Sequence, residues 1–343
     1  MQLDLESKEK KWIDFPWQCI FSRLTTQHIT RNTMKKKTKS KEIKCTESYV
    51  VEEVCESFSG NEERSCSCDK ATNTFIPITQ LTLEKLPDKL QDSSLLDFLT
   101  AVEKLVVHLY IKVPGEGKGH TGTGFAWIGK DEVDEYDKCP VSNCPVLTPH
   151  KSYGGVIVYT NHHVVANDKE AAACQVRFFF NEGKFTPMFF DKINAGVYHC
   201  GVQGNGETTV LAFGQALREH RVAKDLVGLQ IIFHEKDLFE MVQDFTKKRV
   251  AAWSKIRPEK KDLFKQHAVV ISHPHGEAKV ISFGKLLSLE EDKEKEKVTR
   301  YTASTCTGSS GAPVLTGHYA TRPFTHRGKE YSETSVVNIS NSF

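Results

Sequence analysis

From Lys104 onward the chain repeats short apolar segments that end in turn residues, and this repetition constrains the fold more than any other feature. Residues 104–113 (KLVVHLYIKV) alternate in the manner of a strand, and residues 114–120 follow as a glycine-bearing turn. Comparable runs stand at 122–129, 154–160, 174–180, 186–190, 208–213, 226–233, 267–273 and 279–289. Segments of this length, rich in Val, Ile, Phe and Tyr, bury their side chains by pairing into sheets. Regular short strands with turn signals between them predict an all-β barrel architecture.

One stretch breaks the pattern. In residues 236–256 the apolar Leu238, Met241, Val242, Phe245 and Val250 recur at helical spacing with lysines between them, which predicts an amphipathic helix inserted among the strands. Residues 95–100 read as a short helical lead-in, and residues 290–297 (EEDKEKEK) as a solvated hairpin tip. Residues 1–95 lack clear periodicity. They carry a basic cluster (Lys35, Lys36, Lys37, Lys39, Lys41, Lys44) and then an acidic, cysteine-bearing stretch from Glu52 to Cys68. This composition predicts a largely unstructured region. The lysine run reads as a solvated tail, with a nuclear-localisation or nucleic-acid contact as the alternative.

Bulk composition excludes several classes. With 39% hydrophobic and 26% charged residues, the chain resembles an ordinary soluble domain, and a net charge of +2 gives no general drive toward nucleic acid or membrane. No apolar run approaches the ~20 residues needed to span a bilayer. The first 15 residues (MQLDLESKEKKWIDF) hold no signal core. An intracellular location, cytoplasm or nucleus, is therefore expected, with the ten cysteines as reduced thiols.

Three segments carry chemistry. Thr160-Asn161-His162-His163-Val164-Val165 places histidines after an apolar strand, Asp225 opens another apolar run, and Gly308-Ser309-Ser310-Gly311-Ala312-Pro313 presents serines on a small-residue turn. A serine hydroxyl is a weak nucleophile that needs a neighbouring base, and histidine can serve near neutral pH. A buried carboxylate fixes the imidazole tautomer and stabilises the imidazolium. Glycines let the turn aim its amides at a developing oxyanion, here those of Gly308 and Ser310.

Together with residues 122–129, these motifs resemble the trypsin-like (chymotrypsin-fold) serine proteases, most of all the HtrA/Deg-like and other intracellular trypsin-like peptidases. The chain order His, Asp, Ser is also that of the fold. The resemblance implies two six-stranded antiparallel β-barrels with the helical insertion between them, in a protease domain spanning residues 96–343. The preceding residues 1–95 are expected to be a separate, poorly structured region. It implies a serine endopeptidase of proteins or peptides, with no cofactor and no metal. A silent protease-like scaffold that binds proteins or peptides is the alternative.

The family motif assigns the catalytic histidine to the position before the valine, which is His163 and not His162. Asp225 is the orienting carboxylate, with Asp168 and Asp191 as weaker candidates, and the serine followed by Gly-Ala-Pro is Ser310. Ser309 stands where secreted trypsins carry the aspartate that pairs with a newly cut N-terminus, so no activation cleavage is expected. Ser304 matches the floor of the specificity pocket, and its neutrality implies an apolar or aromatic P1 side chain. Cys306 matches a cysteine that is disulfide-bonded in secreted relatives, but no cysteine follows it here. Only 30 residues follow Pro313, which is short for a complete second barrel.

Other motifs read as structural. His273-Pro274-His275-Gly276 reads as a strand end and turn rather than a metal pair. Cys139 with Cys144, or Cys66 with Cys68, lacks standard zinc-finger spacing. Asn338-Ile339-Ser340 has the pattern of a glycosylation sequon, but the expected compartment argues against its use.

Overall fold

The computed structural model describes residues 49–52, 55–56, 74–113, 115, 119–128, 135–140, 150–183, 199–200, 209–221, 225–291, 297–318, 320, 324–331 and 336–341. The lysine cluster 35–44, Cys66, Cys68, Cys144, Asp191 and the strand expected at 186–190 lie outside them.

Twelve principal strands form two sheets. The first sheet is built from β1 (Val106–Ile111), β2 (His120–Ile128), β3 (Ser152–Thr160), β4 (Cys174–Phe178), β5 (Thr209–Arg221) and β6 (Leu226–Phe233). They pair antiparallel in the order β2-β1-β4-β5-β6-β3, and the sheet curls so that Phe125–Ile128 of β2 also meets Val156–Tyr159 of β3. The second sheet uses β7 (His267–Ser272), β8 (Val280–Glu291), β9 (Lys297–Tyr301), β10 (Pro313–Leu315), β11 (Phe324–Tyr331) and β12 (Val336–Asn341). Its order is β11-β10-β7-β8-β9-β12, and pairing of β11 with β12 closes the barrel.

The result is a chymotrypsin-like double-sheet fold, with two corrections. The expected pair of plain six-stranded barrels is instead a curled nine-stranded sheet and an eight-stranded sheet whose six principal strands close. The additions are short strands, among them Ile76–Pro77 on β8 and Glu135–Tyr136 on β3. The chain after Pro313 is also long enough to complete the second barrel. A three-residue β10 and the closely spaced β11 and β12 fill the remaining positions.

Among the described residues there are four α-helices: α1 (Ser93–Glu103) precedes the first sheet, α2 (Asp168–Ala173) lies between two of its strands, and α3 (Lys236–Lys255) and α4 (Pro258–Phe264) connect it to the second. Asp92 caps α1 by accepting from the Leu95 amide at 3.1 Å, satisfying one of the donors a helix start leaves open. The insertion α3 matches its sequence expectation in extent, and Leu238, Met241, Val242 and Phe245 of the predicted stripe pack against the core, but its C-terminal end departs from it. Val250 is half exposed, while Arg249 is buried with its guanidinium over the Trp127 ring, 4.7 Å from the centroid. A buried guanidinium over an indole gains from the ring's negative face. Desolvation still pushes its pKa down to about 10.

The main apolar core spans both sheets and the helices, while Ala268, Val270, Tyr301, Ala303, Ala312 and Val314 form a second cluster within the second sheet. Leu109, Val158, Val176 and Ile231 of the first sheet join Phe98 and Leu99 of α1, Phe239 and Val242 of α3, and Val269 and Ile271 of the second sheet. The stretch before α1 contributes as well, since Leu86 and Leu90 are buried in the same core. Between α1 and the second sheet, the buried Lys279 ammonium donates to the Glu103 carbonyl at 2.6 Å and to its carboxylate at 3.1 Å. Both charges are thereby compensated where an unpaired one would be costly.

Candidate active site

β3 and β6 pair with Val227 opposite Thr160. That register sets Asp225, just before β6, across from the turn that follows β3. Asp225 adopts a left-handed backbone (φ 49°), a conformation costly for a residue with a side chain and held by its surroundings. Its carbonyl accepts from the His162 amide at 3.2 Å and from the Asn161 side chain at 2.9 Å. The strained turn leaves the carboxylate facing His163. Oδ1 accepts from the His163 amide at 3.0 Å, and Oδ2 lies 2.7 Å from His163 Nδ1. A carboxylate on Nδ1 requires the proton there and gives Nε2 the basic lone pair. The ring bonded to Asp225 is thus that of His163, and Arg327 of β11 stands 3.7 Å from the same Oδ2.

The serine turn reaches this couple through the backbone. The Ser310 carbonyl accepts from the Thr123 amide of β2 at 2.8 Å. A Cβ built on the neighbouring Gly122 would lie 3.3 Å from the same carbonyl and clash with Val164, the residue after His163. Gly122 therefore permits close approach of the histidine turn and the serine turn. Gly311 does the same on the other side, with φ +85° and no room for a Cβ against the Thr123 carbonyl and the Thr160 hydroxyl. Ser309 points elsewhere: its hydroxyl donates to Ser272 Oγ at 3.2 Å and accepts from the Cys306 amide at 3.2 Å.

Residues 146–319 match the family model of the trypsin-like peptidase domain. The chain belongs to that family. No curated protein matches it. Among solved structures it is similar to Deg5, at 15% identity, with 70% of this chain and 87% of that one covered and a TM-score of 0.36. The active form of the Rv3671c protease from M. tuberculosis gives 15% identity, 71% and 78% coverage, and a TM-score of 0.37. Its inactive form gives 14%, 71%, 86% and 0.34.

Thr123 has a part that the sequence did not reveal. Its hydroxyl donates to the Gly308 carbonyl at 2.8 Å and accepts from the His273 amide at 3.0 Å. Its carbonyl accepts from the Thr160 hydroxyl at 2.8 Å. One side chain on the first sheet thus fixes the serine turn and the end of β7. Asn161 and Arg327 were also missed. Asn161 stood in view beside the two histidines, whereas nothing marks Arg327 before the fold brings β11 to Asp225.

His273-Pro274-His275-Gly276 forms the expected turn, a 3₁₀ segment at Pro274–Gly276. The His273 ring is buried, stacked on Phe180 at 5.9 Å, and desolvation pushes its pKa down to about 3. Asp168 is engaged elsewhere, accepting from the Leu217 amide at 3.0 Å. The Ser304 hydroxyl accepts from Thr74 Oγ1, and its carbonyl accepts from the Ser282 hydroxyl at 2.7 Å. A segment well before the peptidase strands thus reaches the position matched to the pocket floor.

One expectation is overturned: Cys306 is disulfide-bonded, so the thiols are not all reduced. Cys139 and Cys174 are free. Among the described residues no helix is long and apolar enough to cross a membrane.

Proposed function

We propose that this peptidase domain is a serine endopeptidase in which Ser310 is the nucleophile, His163 the general base and then acid, and Asp225 the residue that orients and stabilises His163. The observation that carries this reading is the double hold of one carboxylate on His163, at its amide and at Nδ1. That arrangement fixes the ring and directs Nε2 away from Asp225, as a base serving a hydroxyl requires.

In this mechanism Ser310 Oγ attacks the scissile carbonyl carbon as its proton passes to His163 Nε2. The carbonyl oxygen becomes an oxyanion, held by the amides of Gly308 and Ser310. His163 returns the proton to the amine as the C–N bond breaks, leaving an acyl ester on Ser310. Water, deprotonated by His163, then releases the acid and restores the serine. Gly308 suits its place, with φ +91° and a Cβ position only 2.8 Å from the His273 carbonyl. Ser310 is buried. Ser304 at the pocket floor presents a neutral hydroxyl and favours an apolar or aromatic P1 side chain.

The test is incubation of the purified chain with a peptide library, read by mass spectrometry. Wild type cleaves after apolar or aromatic residues, and Ser310→Ala cleaves nothing. Peptide capture without cleavage by both proteins would instead establish a binding scaffold.

A further inference from the structure

At the end of the first sheet remote from His163, three side chains with metal-binding atoms converge. Cys139 follows the short strand Glu135–Tyr136, His150 lies two residues before β3, and His234 lies one residue after β6. The strand pairings fix all three positions, with Tyr136 opposite Ser152 and Phe233 opposite Tyr153. Cys139 and His150 are also tied directly, by the Cys139 amide donating to the His150 carbonyl at 3.2 Å. Cys139 Sγ lies 3.3 Å from His234 Nε2, and ligand atoms of all three residues lie within 4.8 Å of one another.

We infer that Cys139, His150 and His234 form a zinc-binding site. A thiolate and two imidazoles are the donors a borderline-soft divalent ion selects, and they differ from the all-oxygen sets of calcium or magnesium. The spacing fits as well. With Zn–S near 2.3 Å and Zn–N near 2.05 Å, a tetrahedral ion holds its sulfur and nitrogen ligands about 3.6 Å apart. The observed 3.3 Å needs only a few tenths of an ångström of adjustment. All three residues are half-buried, so an ion can enter, and a fourth position remains for water or another donor. Binding exchanges the Cys139 thiol proton for the ion and releases that proton to solvent.

The role follows from position. The nine residues of β3 separate this cluster from the turn carrying His163, a distance of roughly 25–30 Å along the strand. The ion therefore takes no part in peptide hydrolysis. It fastens the strand Glu135–Tyr136, the start of β3 and the entry to α3, which begins at Lys236. Finger spacing is absent from the sequence because His234 comes from a strand far along the chain. This proposal departs from the expectation that the protein holds no metal.

The test uses the full purified chain, with metal content by elemental analysis and a cobalt(II) titration followed by absorbance. Wild type is expected to bind about one zinc per chain and to show a cobalt–thiolate charge-transfer band. Loss of a hydrogen-bond partner behind a ligand already costs ~10–100-fold in affinity, so Cys139→Ser and His234→Gln should each lose more than ~100-fold. Cys174→Ser, at the other free thiol among the described residues, should bind as wild type does. Wild type that takes up no zinc and gives no thiolate band overturns the proposal, as does zinc held equally well by Cys139→Ser and His234→Gln. The wild-type cobalt spectrum decides the matter even where a variant does not fold.

Discussion

Arg327 Nε stands 3.7 Å from Asp225 Oδ2, the oxygen that also meets His163 Nδ1 at 2.7 Å. The second barrel thereby supplies a cation to a carboxylate held in the turn of the first sheet. Arg327 is about one-third exposed (31%), so solvent screens the pair and its worth is at most ~1 kcal/mol. Arg327→Ala should slow labelling of Ser310 by a fluorophosphonate probe no more than about fivefold, the equivalent of ~1 kcal/mol. Its melting temperature should stay close to that of wild type. A loss of activity comparable with that of His163→Ala would show Arg327 to be part of the machinery itself.

Thr123 makes a sharper case. Its hydroxyl is buried and serves both the Gly308 carbonyl and the His273 amide. Thr123→Val keeps the shape and leaves both backbone groups without that partner. The expected cost is ~1–3 kcal/mol, read as a lower midpoint in urea with an unchanged slope. Probe labelling should fall as well, because the serine turn loses one of its two ties to β2, the backbone bond from the Thr123 amide to Ser310 remaining. Unchanged stability would mean that another group takes over both bonds.

Acid sensitivity follows from His273. Its folded pKa is pushed down to about 3 by burial, with the Lys279 charge adding to the effect. An unfolded chain protonates this ring below about 6.5, so the unfolded state binds more protons between those values. Stability from the neutral ring is therefore complete above pH ~6.5 and is lost progressively as pH falls toward about 3. Burial also holds His108, 5.5 Å from His273, well below its usual value. Each pH unit in this window costs ~1.4 kcal/mol per such group. His273→Gln should flatten the fall in the urea midpoint between about pH 6.5 and about pH 5. A variant as acid-sensitive as wild type would place the proton uptake elsewhere.

The sheet strands were legible because both their length and their residue types repeat, and α3 because lysines separate its apolar positions. His163 and Asp225 could be read because a strand end and a strand start flank them. The partners that hold them could not. Thr123 is one threonine in a strand, and its use arises only when β2 meets the serine turn. Val250 and Arg249 show the limit of pattern reading, since near the end of the helix the valine is exposed and the arginine is buried over Trp127. Cys139, His150 and His234 were invisible as a set for the same reason: strand pairing, not spacing, joins them.

Gly311 tests the packing of the two turns. Its φ of +85° disfavours any side chain, and a Cβ would strike the Thr123 carbonyl and the Thr160 hydroxyl. Strain of that kind costs ~1–3 kcal/mol before any clash is counted. Gly311→Ala should therefore lower stability by at least ~1–3 kcal/mol and abolish probe labelling. A stable, reactive Gly311→Ala protein would mean that the serine turn is not held as described.

The central claim is that Ser310 is a nucleophile activated by His163. The most direct measurement is fluorophosphonate labelling of the purified chain, with the modified residue located by peptide mass spectrometry. The account predicts label on Ser310 in wild type and in Ser309→Ala, whose lost hydroxyl bonds Ser272 and Cys306. It predicts no label in Ser310→Ala and a loss of at least ~10³-fold in rate in His163→Ala. Label on Ser309, or labelling that survives in His163→Ala at the wild-type rate, would contradict it.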